Sequence, residues 1–148
     1  RPVTKDERLQ SAQLLTIESG DLTISAADDA IHCDYTLQIG AEGTDGPAIS
    51  ITDCDEGLEA AALHVASGDI RIRASDDCLN AANSDLSGFD FSMDISGGTI
   101  SAYTTDGDGF DSNGSMTISG GTPPEKPDGG TPPERPDNAS EPPEPGNL

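Results

Sequence analysis

Apolar residues along this chain alternate with polar ones in short bursts, and the period of two predicts β-strands. Three sets of bursts recur in the same order. The first reads Leu15-x-Ile17, Leu37-x-Ile39, Leu63-x-Val65, Met93-x-Ile95 and Met116-x-Ile118. The second reads Leu22-x-Ile24-x-Ala26, Ile49-x-Ile51, Ile70-x-Ile72-x-Ala74 and Ile100-x-Ala102. The third reads Ile31-x-Cys33, Leu58-x-Ala60, Leu79-x-Ala81 and Phe110-x-Ser112. Alternation puts these residues on one side of their strands and Thr, Ser, Gln, Arg and Asp on the other. Outside residues 6–15, no window carries the i, i+3, i+4, i+7 stripe of an amphipathic helix.

The third set fixes the repeat. Its anchors Ile31, Leu58, Leu79 and Phe110 are 27, 21 and 31 residues apart. That reads as a unit of about 21 residues, with insertions at residues 40–47 and 83–92. Three strands per unit, joined at Ser-Gly-Asp, Gly-Gly-Thr and Asp-Asp corners, predict an all-β fold: a right-handed parallel β-helix of about four to five three-stranded coils. The β-helix is expected over residues 15–122, with residues 1–14 as an N-terminal cap or arm. Residues 123–148 repeat Thr-Pro-Pro-Glu-Lys-Pro-Asp and Thr-Pro-Pro-Glu-Arg-Pro-Asp. Pro123 and Pro124 lack the N–H groups that a further strand needs. Their segment is expected to be a polyproline-like tail, up to roughly 80 Å long at about 3.1 Å per residue.

Composition changes the picture in two ways. Hydrophobic content is 32%, with no Trp, which is lean for a layered globule and adequate for a thin stacked core. The formal net charge of −21 argues against nucleic acid and anionic membranes as direct partners, and no apolar run approaches the length of a membrane span.

Acid recurs at one corner of every coil, two positions before each anchor of the third set. Asp28 and Asp29, Asp55 and Glu56, Asp76 and Asp77, and Asp106 and Asp108 are expected to stack along one edge. Two carboxylates one strand spacing apart, about 4.8 Å, repel by about 3.5 kcal/mol at an effective dielectric of 20 before screening. Such a stack requires water, protonation or a cation. Hard oxygen donors without zinc-like His or Cys spacing favour calcium. The alternative is a solvated acidic edge that blocks lateral aggregation. Asp111, Glu59, Asn80 and His32 follow the anchors, point outward and are candidates to complete the coordination shells. The segment Asp106-x-Asp108-x-x-Asp111 has the start of an EF-hand loop but Thr117 where the bidentate acid belongs.

Ile95-Ser-Gly-Gly-Thr-Ile100 and Gly107-Asp-Gly-Phe-Asp-Ser-Asn-Gly-Ser-Met-Thr-Ile-Ser-Gly-Gly121 resemble the bacterial calcium-binding parallel β-helix family of carbohydrate-binding domain-containing proteins. The resemblance covers roughly residues 15–122. It implies a pectate-lyase-like shape and binding of plant polysaccharide with calcium ions. The domain is short for that family, and its Pro-rich tail lies outside the family pattern. Toxin-type calcium β-rolls match less well, because their Gly-Gly-x-Gly-x-Asp nonapeptide is absent.

Arg71 and Arg73 are the basic residues of the β-helix body, on the outer side of the second face beside Ser50, Thr52, Ser101 and Tyr103. Charge balance explains them. With Tyr103 they are also the carbohydrate-binding candidates. Calcium plus an arginine base is the equipment of a polysaccharide lyase, which keeps an enzymatic alternative open. Phe89 and Phe91, in the longest insertion, are expected to cover the core. Cys33 points inward, and Cys54 and Cys78 sit near neighbouring corners; buried thiols are expected rather than a Cys54–Cys78 disulfide. Asn113 and Asn138 lie in N-glycosylation sequons, and Thr122 and Thr131 before Pro-Pro are O-glycosylation candidates. The expected function is polysaccharide binding without catalysis, by an extracellular or cell-surface calcium protein. The structural alternative is a filament of homo-oligomers stacked end to end, with the Pro-rich tail as strap.

Overall fold

The computed structural model describes residues 9–11 and 13–122. They form twelve strands and no helix: β1 (Leu9–Ser11), β2 (Leu14–Ile17), β3 (Asp21–Ser25), β4 (Ile31–Ile39), β5 (Ala48–Asp53), β6 (Leu58–Val65), β7 (Asp69–Ala74), β8 (Leu79–Ala81), β9 (Ser92–Ile95), β10 (Thr99–Thr104), β11 (Phe110–Ser112) and β12 (Ser115–Ile118). Every pairing is parallel, and each joins a strand to its equivalent one coil away. The chain is a β-solenoid of about four turns.

The three predicted columns stack in the predicted register. Leu15, Leu37, Leu63, Met93 and Met116 are successive Cα partners. So are Leu22, Ile49, Ile70 and Ile100. The third column runs Ile31, Leu58, Leu79 and Phe110. A one-residue slip would turn each apolar set outward, so burial locks the register. In β7 the alternation is complete, with Ile70, Ile72 and Ala74 buried and Asp69, Arg71 and Arg73 exposed.

Two features differ from expectation. In the first two coils the third-face and first-face strands run on as single strands, β4 and β6, because little chain separates them. In β6 the adjacent residues Ala60 and Ala61 are both buried, so the strand bends without leaving the ladder. In β4 the register shifts between Cys33 and Thr36. The 83–92 insertion breaks this continuity in the third coil, giving β8 and β9. Secondly, the ladder begins before residue 15: β1 pairs with β4, Leu9 against Ile31, which extends the third column by one rung. The remainder of the expected cap and the tail beyond residue 122 lie outside the described residues.

Glycine turns the corner between the first and second faces. Gly68 has φ +125°, and a Cβ there would lie 2.9 Å from the Pro47 carbonyl oxygen. Gly20, Gly98 and Gly121 hold the same corner in other coils with φ of +107°, +92° and +113°. The 40–47 insertion folds around the buried Ser67, whose Oγ accepts from the Ala41 N–H at 3.0 Å and lies 3.0 Å from Thr44 Oγ1.

Phe89 and Phe91 do not cover the core columns. They form a chain of tilted rings with Tyr35 on the outside, with centroids 6.1 Å (Tyr35–Phe89) and 5.4 Å (Phe89–Phe91) apart. The Tyr35 ring at the bulge meets Phe89, and Asn83 anchors the insertion there by donating to the Asp34 carbonyl at 2.9 Å. Cys33, Cys54 and Cys78 are buried free thiols. Burial, then the neighbouring Cys78, pushes Cys54 up to about 12, so it is an inert packing residue at neutral pH.

Candidate functional site

The acidic corner stacks through its backbone. The Asp55 N–H donates to the Asp28 carbonyl at 3.0 Å, Asp76 to Asp55 at 3.0 Å, and Asp106 to Ser75 at 3.0 Å. Gly107 makes room in the last coil, since a Cβ there would lie 2.5 Å from Asp76 Oδ1 and 2.6 Å from Asp77 Oδ1. The Asp108 N–H donates to Asp77 Oδ1 at 2.7 Å. The Asp76 carboxyl is held above the usual carboxylate range, first by desolvation at the corner and then by the charges of Asp77, Asp55, Asp106 and Asp108. Five of the nine predicted metal ligands therefore share one exposed edge.

Asp29 and Glu56 belong to a different group. Alternation sends His32, Glu59, Asn80 and Asp111 to the outer side of the third face, where they are successive rungs of one ladder. Asp29 and Glu56 turn from their corners onto this ladder instead of the edge. His32 is the centre: Nδ1 lies 2.8 Å from Glu59 Oε1 and 3.2 Å from Asp29 Oδ2, and Nε2 lies 3.0 Å from Asp34 Oδ1. Asn80 Nδ2 donates to Glu56 Oε2 at 3.1 Å and Glu59 Oε2 at 3.4 Å. Asn80 and Asp29 are buried, at 7% and 8% exposure.

The charges follow from that packing. Hydrogen bonds to Asp29, then Glu59 and Asp34, push His32 up to about 11, so it is an imidazolium at neutral pH. Burial, then the Glu59 charge, pushes Glu56 up to about 8, so it is mostly neutral. His32 is the cation that lets Asp29 and Glu59 be buried together. Asp34 lies outside the acidic corner pattern and shares the outward side of β4 with His32 two residues earlier.

The remaining candidates occupy separate surfaces. Arg71 is exposed and pairs with Asp69 at 3.4 Å. Arg73 stacks over the Tyr103 ring, its guanidinium carbon 4.5 Å from the centroid, and Tyr103 is 53% exposed. Asn113 and Thr122 are exposed, while Asn138 and Thr131 lie outside the described residues. No protein-family model matches the chain, and no curated protein or solved structure matches it either.

Proposed function

We propose that this protein is a non-catalytic, calcium-binding β-solenoid that holds an acidic polysaccharide in an extracellular setting. The observation carrying this reading is the corner at Asp55, Asp76, Asp77, Asp106 and Asp108. Desolvation at the corner, and then the charges of the neighbouring carboxylates, hold the Asp76 carboxyl above its ordinary range, and a hard divalent cation with oxygen preference relieves both. The same ion bridges an acidic protein to a uronate-bearing glycan. The outer side of the second face supplies hydroxyl, guanidinium and ring groups in adjacent rungs: Thr23, Ser50, Arg71 and Ser101, then Arg73 beside Tyr103. Both arginines already have partners, which favours binding over the lyase alternative.

Calcium at 100 times its dissociation constant should stabilise the fold by about 2.7 kcal/mol per independent site. Asp76→Asn should raise the melting temperature in chelator and lower calcium affinity, because it removes repulsion and a ligand together. Polygalacturonate retention should follow calcium and fall in Tyr103→Ala. A melting temperature indifferent to calcium, with retention unchanged by chelator, would overturn the proposal.

One observation favours a second reading, end-to-end stacking of copies. At the last coil Met116 and Ile118 are 41% and 57% exposed, and Ile118 lines a cavity of 290 Å³ together with Ile95, Ile100 and Phe110. Among the described residues no strand covers this end. Ile118→Lys should abolish concentration-dependent assembly in sedimentation velocity and leave the β-sheet spectrum intact. Removal of residues 123–148 should weaken assembly if the tail is a strap. A protein that stays monomeric at all concentrations excludes this reading.

A further inference from the structure

We propose that Asp29, His32 and Glu59 form a binding site for a first-row divalent transition metal, with Zn2+ as the reference ion, separate from the calcium edge. One ligand atom from each of the three residues lies within 4.8 Å of the others. Asp29 Oδ2 and Glu59 Oε1 both lie within hydrogen-bond distance of His32 Nδ1. A nitrogen among three donors suits zinc, copper or nickel, whereas calcium takes six to eight oxygens.

Two further observations point to a ligand. His32 Nε2 is 3.0 Å from Asp34 Oδ1, the carboxylate–imidazole pairing that orients a metal-bound histidine and raises its basicity. Asp34 is itself tethered, through its carbonyl, by Asn83. The cluster is also short of donors. Among the described residues, Asp29, Asp34, Glu56 and Glu59 share the two imidazole nitrogens, the Asn80 amide and the proton that Glu56 holds against Glu59, and the buried Asn80 Oδ1 has no hydrogen-bond partner. A divalent ion takes the place of the His32 Nδ1 proton, which is released to solvent, and so adds one net positive charge to the cluster.

Two of the three donor separations are close to what the ion requires, and the third, Asp29 to Glu59, is within 4.8 Å. Donor atoms around tetrahedral zinc, at about 2.0–2.1 Å from the metal, lie about 3.3 Å from one another. Asp29 is already at 3.2 Å from Nδ1, so Glu59 Oε1, at 2.8 Å, needs to withdraw by about half an ångström. The side chains of His32 and Glu59 are 16% exposed, so the cluster is open to solvent on that side. Asp29 and His32 come from the first coil and Glu59 from the second, so the ion clamps adjacent coils across β4 and β6.

The test uses the full chain stripped of metal, titrated with Zn2+ by calorimetry and with Co2+ by visible absorption. Expected are one zinc equivalent, a tetrahedral Co2+ spectrum, and no displacement by a thousandfold excess of Ca2+. His32→Gln should abolish stoichiometric binding. Asp34→Asn, which leaves all three ligands in place and so guards against a folding defect, should weaken it about tenfold to a hundredfold. Asp76→Asn should leave it unchanged while impairing calcium binding, which separates this site from the edge. Absence of stoichiometric zinc binding overturns the proposal. So does binding that survives His32→Gln and falls with Asp76→Asn, since the ion would then sit on the acidic edge.

Discussion

Leu58→Ala should destabilise the protein by about 4 kcal/mol, near the upper half of the range for buried leucines. Leu58 is fully buried between Ile31 and Leu79, which are fully buried themselves. Collapse around the deleted atoms requires neighbouring coils to approach, and their spacing is set by backbone hydrogen bonds. The Ile31 N–H donates to the Gly57 carbonyl at 3.0 Å, and the Leu58 N–H to the Cys78 carbonyl at 2.9 Å. Gly57 is pinned as well, since a Cβ there would meet the Cys78 carbonyl oxygen and lie 2.6 Å from Ile72 Cγ2. The cavity therefore stays open. Met116→Ala, at the exposed end of the first column, should cost less than about 1 kcal/mol. Urea denaturation of both variants checks this; equal losses would mean that the coils do not share a continuous core.

His32→Gln in chelator-treated protein should cost on the order of 3 kcal/mol at neutral pH, since it leaves Asp29, Asp34 and Glu59 facing one another without their cation. Its pH signature is more diagnostic. The folded pKa of His32 is raised from 6.5 to about 11, so its contribution is complete below pH 6.5 and is lost as pH rises towards 11. Glu56, raised from 4.5 to about 8, acts in the same direction over the lower part of that range, because the folded state holds its proton more tightly. The parent protein should thus lose stability on going from pH 7 to pH 10, and the variant should lose much less. Urea midpoints measured across that interval decide it. Parallel curves for parent and variant would show that the imidazolium does not hold the cluster together.

Much of the fold is legible in the sequence because a parallel solenoid is nearly one-dimensional. Each inward position meets the same position one coil away, so a recurring Leu-x-Ile burst identifies a column, and the acid before each third-set anchor identifies a corner. Glu59 and Asn80 are legible as outward residues by alternation alone. Periodicity does not report where chain outside the repeat returns. The bulge at Asp34 and Tyr35 and the 83–92 insertion interrupt the period, and their meeting through Asn83 and the Tyr35–Phe89–Phe91 rings joins residues 49 positions apart.

The acidic phrase shows the same division. By itself the sequence determined that carboxylates recur at one corner and that three apolar columns stack, because both depend only on spacing along the chain. It treated Asp29 and Glu56 as equivalent to Asp55 and Asp76, since each pair occupies neighbouring places in the repeat. Only the tertiary structure decided that the first two turn onto the third face, where His32, Glu59 and Asn80 receive them, while Asp55 and Asp76 remain on the solvent edge. The physical reason is local and three-dimensional: a carboxylate takes the direction in which a donor waits. For Asp29 that donor is the His32 imidazole on its own coil, and for Glu56 it is the Asn80 amide one coil away.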